Sequence, residues 1–75
     1  MTDLKIVIEK VQKEREELKQ KIEKLEKMIL SETFSTFDIE TRAQLLSQLR
    51  HMNMYNEDLI SRVVHMRKMI ERKEG

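Results

Sequence analysis

Gln48, Tyr55 and Arg62 recur at intervals of seven residues in the second half of the sequence. A tyrosine ring stacks on planar groups while its hydroxyl finds a hydrogen-bond partner. A guanidinium forms paired hydrogen bonds with a phosphate or a base edge, and a primary amide both donates and accepts. Together these side chains can recognise a flat, anionic guest. The alternative is that polar residues in a helical seam only fix register and oligomer state.

Spacing by seven places these residues on one edge of a helix, and the composition predicts helices along most of the chain. There is no proline, and the single glycine is the last residue. The composition changes in the segment 31–38, which is rich in serine and threonine. Their hydroxyl side chains favour caps and turns. We predict a single domain, 1–75, with a helix over about 3–30, a turn over about 31–38 and a helix over about 39–72. Asp38 is the predicted N-cap of the second helix, with a neighbouring serine or threonine as the competitor.

Apolar residues in both predicted helices alternate in steps of four and three, which is typical of a coiled-coil seam. The first seam consists of Leu4, Ile8, Val11, Leu18, Ile22, Leu25 and Ile29. The second consists of Leu45, Leu49, Met52, Leu59, Val63, Met66 and Ile70. Arg15 fills the seam position between Val11 and Leu18. We predict an all-α fold, an antiparallel two-helix hairpin, in which Leu18 lies near Tyr55 and Arg15 lies near Leu59, within reach of the level of Arg62.

The second helix carries more apolar surface than one seam can cover. The residues that widen its stripe are Leu46, Met54, Ile60, Val64 and Met69. A two-helix hairpin has only one mutual seam to bury, and a domain of this size buries only about 60% of its unfolded-chain surface. The chain has no cysteine with which to form a disulfide. We therefore predict a homo-oligomer, a helical bundle whose stability depends on protomer concentration.

The composition argues against several classes of function. A glycine-rich phosphate loop is impossible without internal glycine, and no nucleophile–histidine arrangement stands out, so we expect no enzyme and no cofactor. With no cysteine and only His51 and His65, we expect no metal site. A net charge of +1 argues against broad DNA or RNA binding. Because no apolar run has the length of a membrane span and no signal peptide is visible, we expect no membrane partner.

Residues in both halves of the chain also follow a recognisable order. The first half contains Glu17, Leu18, Lys21, Ile22 and Leu25. The second half contains Gln48, Leu49, Met52, Tyr55, Leu59, Arg62 and Val63, in the pattern QL-x-x-M-x-x-Y-x-x-x-L-x-x-R-I/V. Phe34 precedes the acidic cap of the second helix. This order resembles that of small helical-hairpin proteins of bacteriophages, including crAss-like phages.

The resemblance extends to viral anti-CBASS sponges, which bind the cyclic nucleotide signals of bacterial immune enzymes without cleaving them. It implies a cyclic dinucleotide ligand such as 3′,3′-cyclic GMP–AMP, bound between the protomers of a homo-oligomer, a tetramer, in the host cytoplasm. It assigns Tyr55 to base stacking, Arg62 and Arg15 to phosphate or a guanine edge, Gln48 to reading a base and Lys21 to neutralising phosphate. The chain departs from the family pattern in an extended N-terminus, 1–10, and a basic, methionine-rich tail from His65.

Two other interpretations of the sequence stay open. The chain could be a coiled-coil protein-binding module, in which the surplus apolar stripe is the partner site. It could also be a structural oligomer of a phage, in which Tyr55 and Arg62 are dispensable as long as assembly survives. Nucleotide binding separates the sponge from both alternatives.

Overall fold

A computed structural model describes residues 3–74 of the 75-residue chain. The described residues form three helices and no strand: α1 (Leu4–Ile29), α2 (Glu32–Thr36) and α3 (Ile39–Glu74). The long helices α1 and α3 pack against each other, which confirms the predicted all-α hairpin. The molecule measures 56 × 19 × 15 Å. Its length is that of α3 alone, because a helix of 36 residues spans roughly 54 Å.

The core of the hairpin is the seam between α1 and α3. The buried side chains are Ile8, Ile22, Leu59 and Val63. The half-buried seam residues are Leu4, Val11, Arg15, Leu18, Leu25 and Ile29 on α1, with Leu45, Leu49, Met52, Met66 and Ile70 on α3. Every predicted seam residue is therefore at least partly covered. The period of the apolar residues alone predicts which face of each helix is turned inward.

The first helix, α1, has a side-chain cap at its start and a tight turn at its end. The Oδ1 atom of Asp3 accepts a hydrogen bond of 2.9 Å from the backbone amide of Lys5. At the other end, the amide of Leu30 donates to the carbonyl of Glu26 at 3.0 Å. These bonds satisfy backbone groups that a helix leaves without partners at its termini.

The connection between the long helices contains a short helix that the sequence did not predict. Only a turn was predicted over 31–38, whereas Glu32–Thr36 form α2. The hydroxyls of Ser35 and Thr36 each donate to a backbone carbonyl three residues earlier, at 2.6 Å. Hydroxyl side chains can bond backbone carbonyls in a turn or a helix, so their presence did not distinguish the two.

The second long helix, α3, begins with the predicted cap. The Oδ1 atom of Asp38 accepts a hydrogen bond of 2.7 Å from the backbone amide of Thr41, and its carbonyl accepts from the amide of Arg42 at 3.0 Å. The hydrogen bonds from Thr41 lower the pKa of Asp38 below its ordinary value, because they favour the charged carboxylate. Asp38 is therefore the N-cap, while Ser35 and Thr36 bond within the connection.

Part of the apolar surface of α3 stays uncovered on a single hairpin. The exposed fractions are 49% for Leu46, 57% for Met54, 37% for Ile60, 46% for Val64 and 37% for Met69. These are the residues that were predicted from the sequence to widen the apolar stripe of the second helix beyond its seam. One copy of the chain therefore cannot cover them.

Candidate functional site

One side of the hairpin carries two adjoining grooves that share Gln48 and Met52. The first, which we call the Tyr55 groove, has a volume of about 440 Å³ and is lined by Leu18, Gln44, Ser47, Gln48, His51, Met52 and Tyr55. The second, the Lys21 groove, has a volume of about 570 Å³ and is lined by Lys21, Lys24, Leu25, Met28, Phe37, Thr41, Leu45, Gln48 and Met52. Both volumes fall within the roughly 300–1,000 Å³ typical of small-molecule sites.

The Tyr55 groove has a polar edge supplied by α3. This edge consists of Gln44, Gln48, His51 and Tyr55. Because these residues follow one another in steps of four and three, they stand above one another on one side of the helix. Leu18 of α1 forms part of the opposite wall. Leu18 and Tyr55 therefore line one groove, as the predicted register requires.

A contact between the two helices fixes Tyr55 at the edge of its groove. The Tyr55 hydroxyl donates a hydrogen bond to the Glu14 carboxylate on α1. This hydrogen bond, desolvation and the negative charge of Glu14 raise the pKa of Tyr55, while the positive charge of Arg62 opposes the rise. The Tyr55 side chain is 39% exposed. Its ring is thus held in place and still open to a flat guest.

The Lys21 groove adds positive charge to the same side of the hairpin. Lys21 and Lys24 lie one turn apart on α1 and both line this groove. Its apolar wall includes Leu25 and Phe37, and the Phe37 ring packs edge-to-face on Phe34 with centroids 6.4 Å apart. An ammonium group attracts phosphate as a compact point charge. The groove therefore offers an apolar surface with a cationic rim.

Arg15 opens to the other side of the hairpin. It lines a separate, polar groove of about 280 Å³ together with Gln12, Glu16, Lys19 and Asn56, which we call the Arg15 groove. The Nε atom of Arg15 is buried and has no hydrogen-bond partner. The sequence predicted Arg15 near Leu59 and within reach of the level of Arg62. The structure places it in a groove with Asn56, one turn before Leu59 on α3. It lines neither the Tyr55 groove nor the Lys21 groove.

Four of the five predicted site residues lie on one side of the hairpin, and three of them line its two adjoining grooves. Tyr55, Gln48 and Lys21 line the two adjoining grooves. Arg62 is exposed on α3, two turns beyond Tyr55, and lies close enough to influence the tyrosine pKa. Such a set can stack on a ring, hydrogen-bond its edge and neutralise an anion.

Several residues that shape these grooves were not predicted from the sequence. Gln44, His51 and Lys24 lie on the same helix edges as the predicted residues, so the same spacing could have identified them. Asn56 is half-buried and fills the step between Met52 and Leu59 in the α3 seam. The interruption of the apolar spacing was its signal, as it was for Arg15.

Neither a metal-binding cluster nor a membrane-spanning helix is found in the part of the chain that the structure describes. No group of three or more His, Cys, Asp or Glu residues between positions 3 and 74 could hold a metal ion. Over the same span, no helix combines the length and apolar character required to traverse a bilayer.

The chain is similar to a known protein family over most of its length. A family model described as Sequestin matches residues 5–65. The match includes every residue that lines the three grooves, together with Arg62. No curated protein and no solved structure matches the chain.

Proposed function

The chain belongs to the Sequestin family, and from this premise we propose that it is a phage immune-evasion sponge that sequesters a cyclic dinucleotide. The family's name describes sequestration, which is a binding function and not a catalytic one. The proposed ligand is a signal such as 3′,3′-cyclic GMP–AMP. The chain would bind this signal in the host cytoplasm without cleaving it, so that CBASS effectors stay inactive.

The observation that carries the proposal is the Tyr55 groove with the Lys21 groove beside it. A nucleobase would stack on the exposed ring of Tyr55. The amide of Gln48, which lines both grooves, would both donate to and accept from the base edge. The phosphates would meet Lys21 on one side and Arg62 on the other.

Sequestration requires tight binding but no chemical step. Stacking contributes roughly 1–3 kcal/mol per base, whereas nanomolar binding requires about 12 kcal/mol. Charge-assisted hydrogen bonds add to the stacking, but they are strong only where water is excluded. The ligand must therefore be enclosed more completely than the open grooves of one hairpin allow.

We propose that further copies of the chain supply this enclosure. The exposed apolar residues of α3, such as Leu46, Met54 and Val64, support packing between copies, with a tetramer as the proposed assembly and the ligands between protomers. Arg15 opens to the opposite side of its own hairpin. In an assembly, it would therefore meet a ligand held by a neighbouring copy.

Isothermal titration against a panel of cyclic di- and trinucleotides tests the ligand. We expect saturable binding of at least one cyclic dinucleotide, weakened at least tenfold by Arg62→Ala because a charge-assisted hydrogen bond is lost. Arg67→Ala is the matched control, since Arg67 is also exposed on α3 but points to another face of the helix. If no member of the panel binds, the proposal is wrong.

Sedimentation velocity over a range of concentrations tests the assembly. We expect species larger than the 9.1 kDa chain, with a distribution that shifts towards smaller species on dilution. A single monomeric species at every concentration would remove the basis for a ligand enclosed between protomers.

The outer face of α3 supports a second candidate function. Leu46, Ile60 and Val64 are exposed there at spacings that place them on one face. A helix of another protein could dock on this stripe, as in a coiled-coil adaptor, or the stripe could build a structural oligomer of a phage. Neither function involves nucleotides. A thermal-shift screen in which no nucleotide changes the melting temperature would favour this candidate over the sponge.

A further inference from the structure

We infer that Glu14 is an affinity-determining residue of the Tyr55 groove. Its carboxylate accepts the hydrogen bond of the Tyr55 hydroxyl at the position that a ligand phosphate would take, and ligand binding displaces this carboxylate. The inference deepens the proposed function and rests on it. Glu14 is not one of the five residues that the sequence predicted to bind the ligand.

The contact between Glu14 and Tyr55 lies at one end of the groove. Glu14 reaches the Tyr55 hydroxyl from the opposite helix. Leu18, one turn further along α1, lines the Tyr55 groove. The carboxylate is therefore positioned where the groove approaches Arg62, which lies two turns beyond Tyr55 on α3.

The charges around Tyr55 explain why this contact opposes a phosphate. The titratable and charged groups that face Tyr55 are Glu14 from α1, with Arg62 and His51 from α3. The Glu14 carboxylate accepts the tyrosine hydrogen bond, and its negative charge acts on Tyr55 in the opposite sense to the positive charge of Arg62. A phosphate oxygen can accept the same hydrogen bond, but two anions at one position repel each other.

Displacement of Glu14 is sterically simple, because its side chain is exposed and can rotate into water. Every ligand that places a phosphate beside Tyr55 must overcome the same competition. A ligand with one base has few other contacts to offset this competition. A cyclic dinucleotide, which has two bases and two phosphates, makes enough further contacts to displace the carboxylate.

Calorimetric titration of 3′,3′-cyclic GMP–AMP into Glu14→Gln tests the inference. The substitution removes the charge and keeps a side chain of the same shape, so we expect binding roughly threefold to fivefold tighter than in the wild type, as for exposed charge interactions. Glu17→Gln is the matched control, because Glu17 is exposed on the same helix and its substitution changes the net charge equally. Equal effects of the two substitutions, or weaker binding by Glu14→Gln, would overturn the inference.

The single tyrosine provides a readout that requires no ligand. Tyr55 is the only tyrosine and the chain has no tryptophan, so the absorbance of tyrosinate reports on this residue alone. Because Glu14 raises the pKa of Tyr55, the Tyr55 hydroxyl should ionise at a lower pH in Glu14→Gln than in the wild type. In Glu17→Gln, it should ionise at the same pH as in the wild type. Circular dichroism at each pH verifies that the helices persist.

The two experiments separate the possible failures. If Tyr55 ionises at the same pH in the wild type and in Glu14→Gln, the charge of Glu14 does not act on Tyr55 and the inference is wrong, even if nucleotides bind. If the ionisation shifts as expected but neither protein binds a cyclic dinucleotide, the proposed function fails and the inference fails with it.

Discussion

Arg15 on α1 and Asn56 on α3 line the same groove, and each occupies the one polar position in the apolar seam of its helix. Both are half-buried. A polar residue in a helical seam fixes register, because other alignments place it against apolar neighbours. The pair therefore favours the alignment in which Leu18 lies beside Tyr55 and completes the Tyr55 groove.

Replacement of both polar seam residues should stabilise the hairpin and make its register less specific. For Arg15→Leu combined with Asn56→Leu, we expect a gain of roughly 1 kcal/mol for each half-buried leucine, measured by thermal unfolding. Nucleotide binding should weaken, because the grooves are no longer uniquely formed and because the Arg15 guanidinium that would meet the ligand is lost. Lys19→Leu, at an exposed position in the same groove, is the control. A less stable double variant would show that the polar pair contributes net stability.

The core depends most on Leu59, whose side chain is 0% exposed. Leu59→Ala should reduce the free energy of unfolding by about 2–5 kcal/mol, because it leaves a cavity in the seam. Urea unfolding measures the loss. Ile60→Ala, at a neighbouring residue that is 37% exposed, should cost less than about 1 kcal/mol in the single hairpin. Equal losses for the two variants would contradict this assignment of the core.

Two substitutions of Tyr55 distinguish the contribution of its ring to ligand binding from that of its hydroxyl. Tyr55→Ala should weaken binding of the cyclic dinucleotide roughly tenfold or more, because stacking is lost. Tyr55→Phe keeps the ring and should remain within about threefold of the wild type. Titration calorimetry measures both, with Met54→Ala as the control at an exposed neighbour. If Tyr55→Phe loses as much affinity as Tyr55→Ala, the hydroxyl and not the ring makes the decisive contact.

The cap of α3 should make the stability of the hairpin depend on pH. The pKa of Asp38 is lower in the folded chain than its ordinary value, so its stabilising contribution is present above the ordinary pKa. This contribution is lost as the pH falls towards the lowered value. Asp38→Asn keeps a capping side chain that does not titrate. The melting temperature of the wild type should therefore drop further between neutral pH and pH of about 3 than that of Asp38→Asn. An equal drop would mean that Asp38 does not contribute to acid sensitivity.

The two seams could be predicted from the sequence because the spacing of apolar residues in steps of four and three is enough to identify them. Residues such as Leu59 and Ile22 are buried where the spacing of four and three places them, whatever their neighbours are. Asp38 was predictable as a cap for a similar reason, since its hydrogen bond is made within one helical turn. The helix α2 was missed because the hydroxyls of Ser35 and Thr36 suit a turn and a helix equally.

Contacts between the helices were harder to predict than the helices themselves. The level of a residue along the hairpin follows from counting, which is why Leu18 was expected beside Tyr55. The side to which a residue turns depends on the rotation of each helix about its axis. That rotation brings Glu14 to Tyr55 and turns Arg15 towards Asn56.

The proposed function requires the chain to remove a cyclic dinucleotide from solution and to keep it intact. In the most direct test, 3′,3′-cyclic GMP–AMP is mixed with excess protein and passed through a membrane that retains the protein. The retained fraction is then heated and its nucleotide identified by mass. We predict that the filtrate lacks the signal and that heating releases it as the intact cyclic molecule, whereas Arg62→Ala lets more of it pass. Free passage of the signal past the wild-type chain, or its recovery as a linear nucleotide, would contradict the claim.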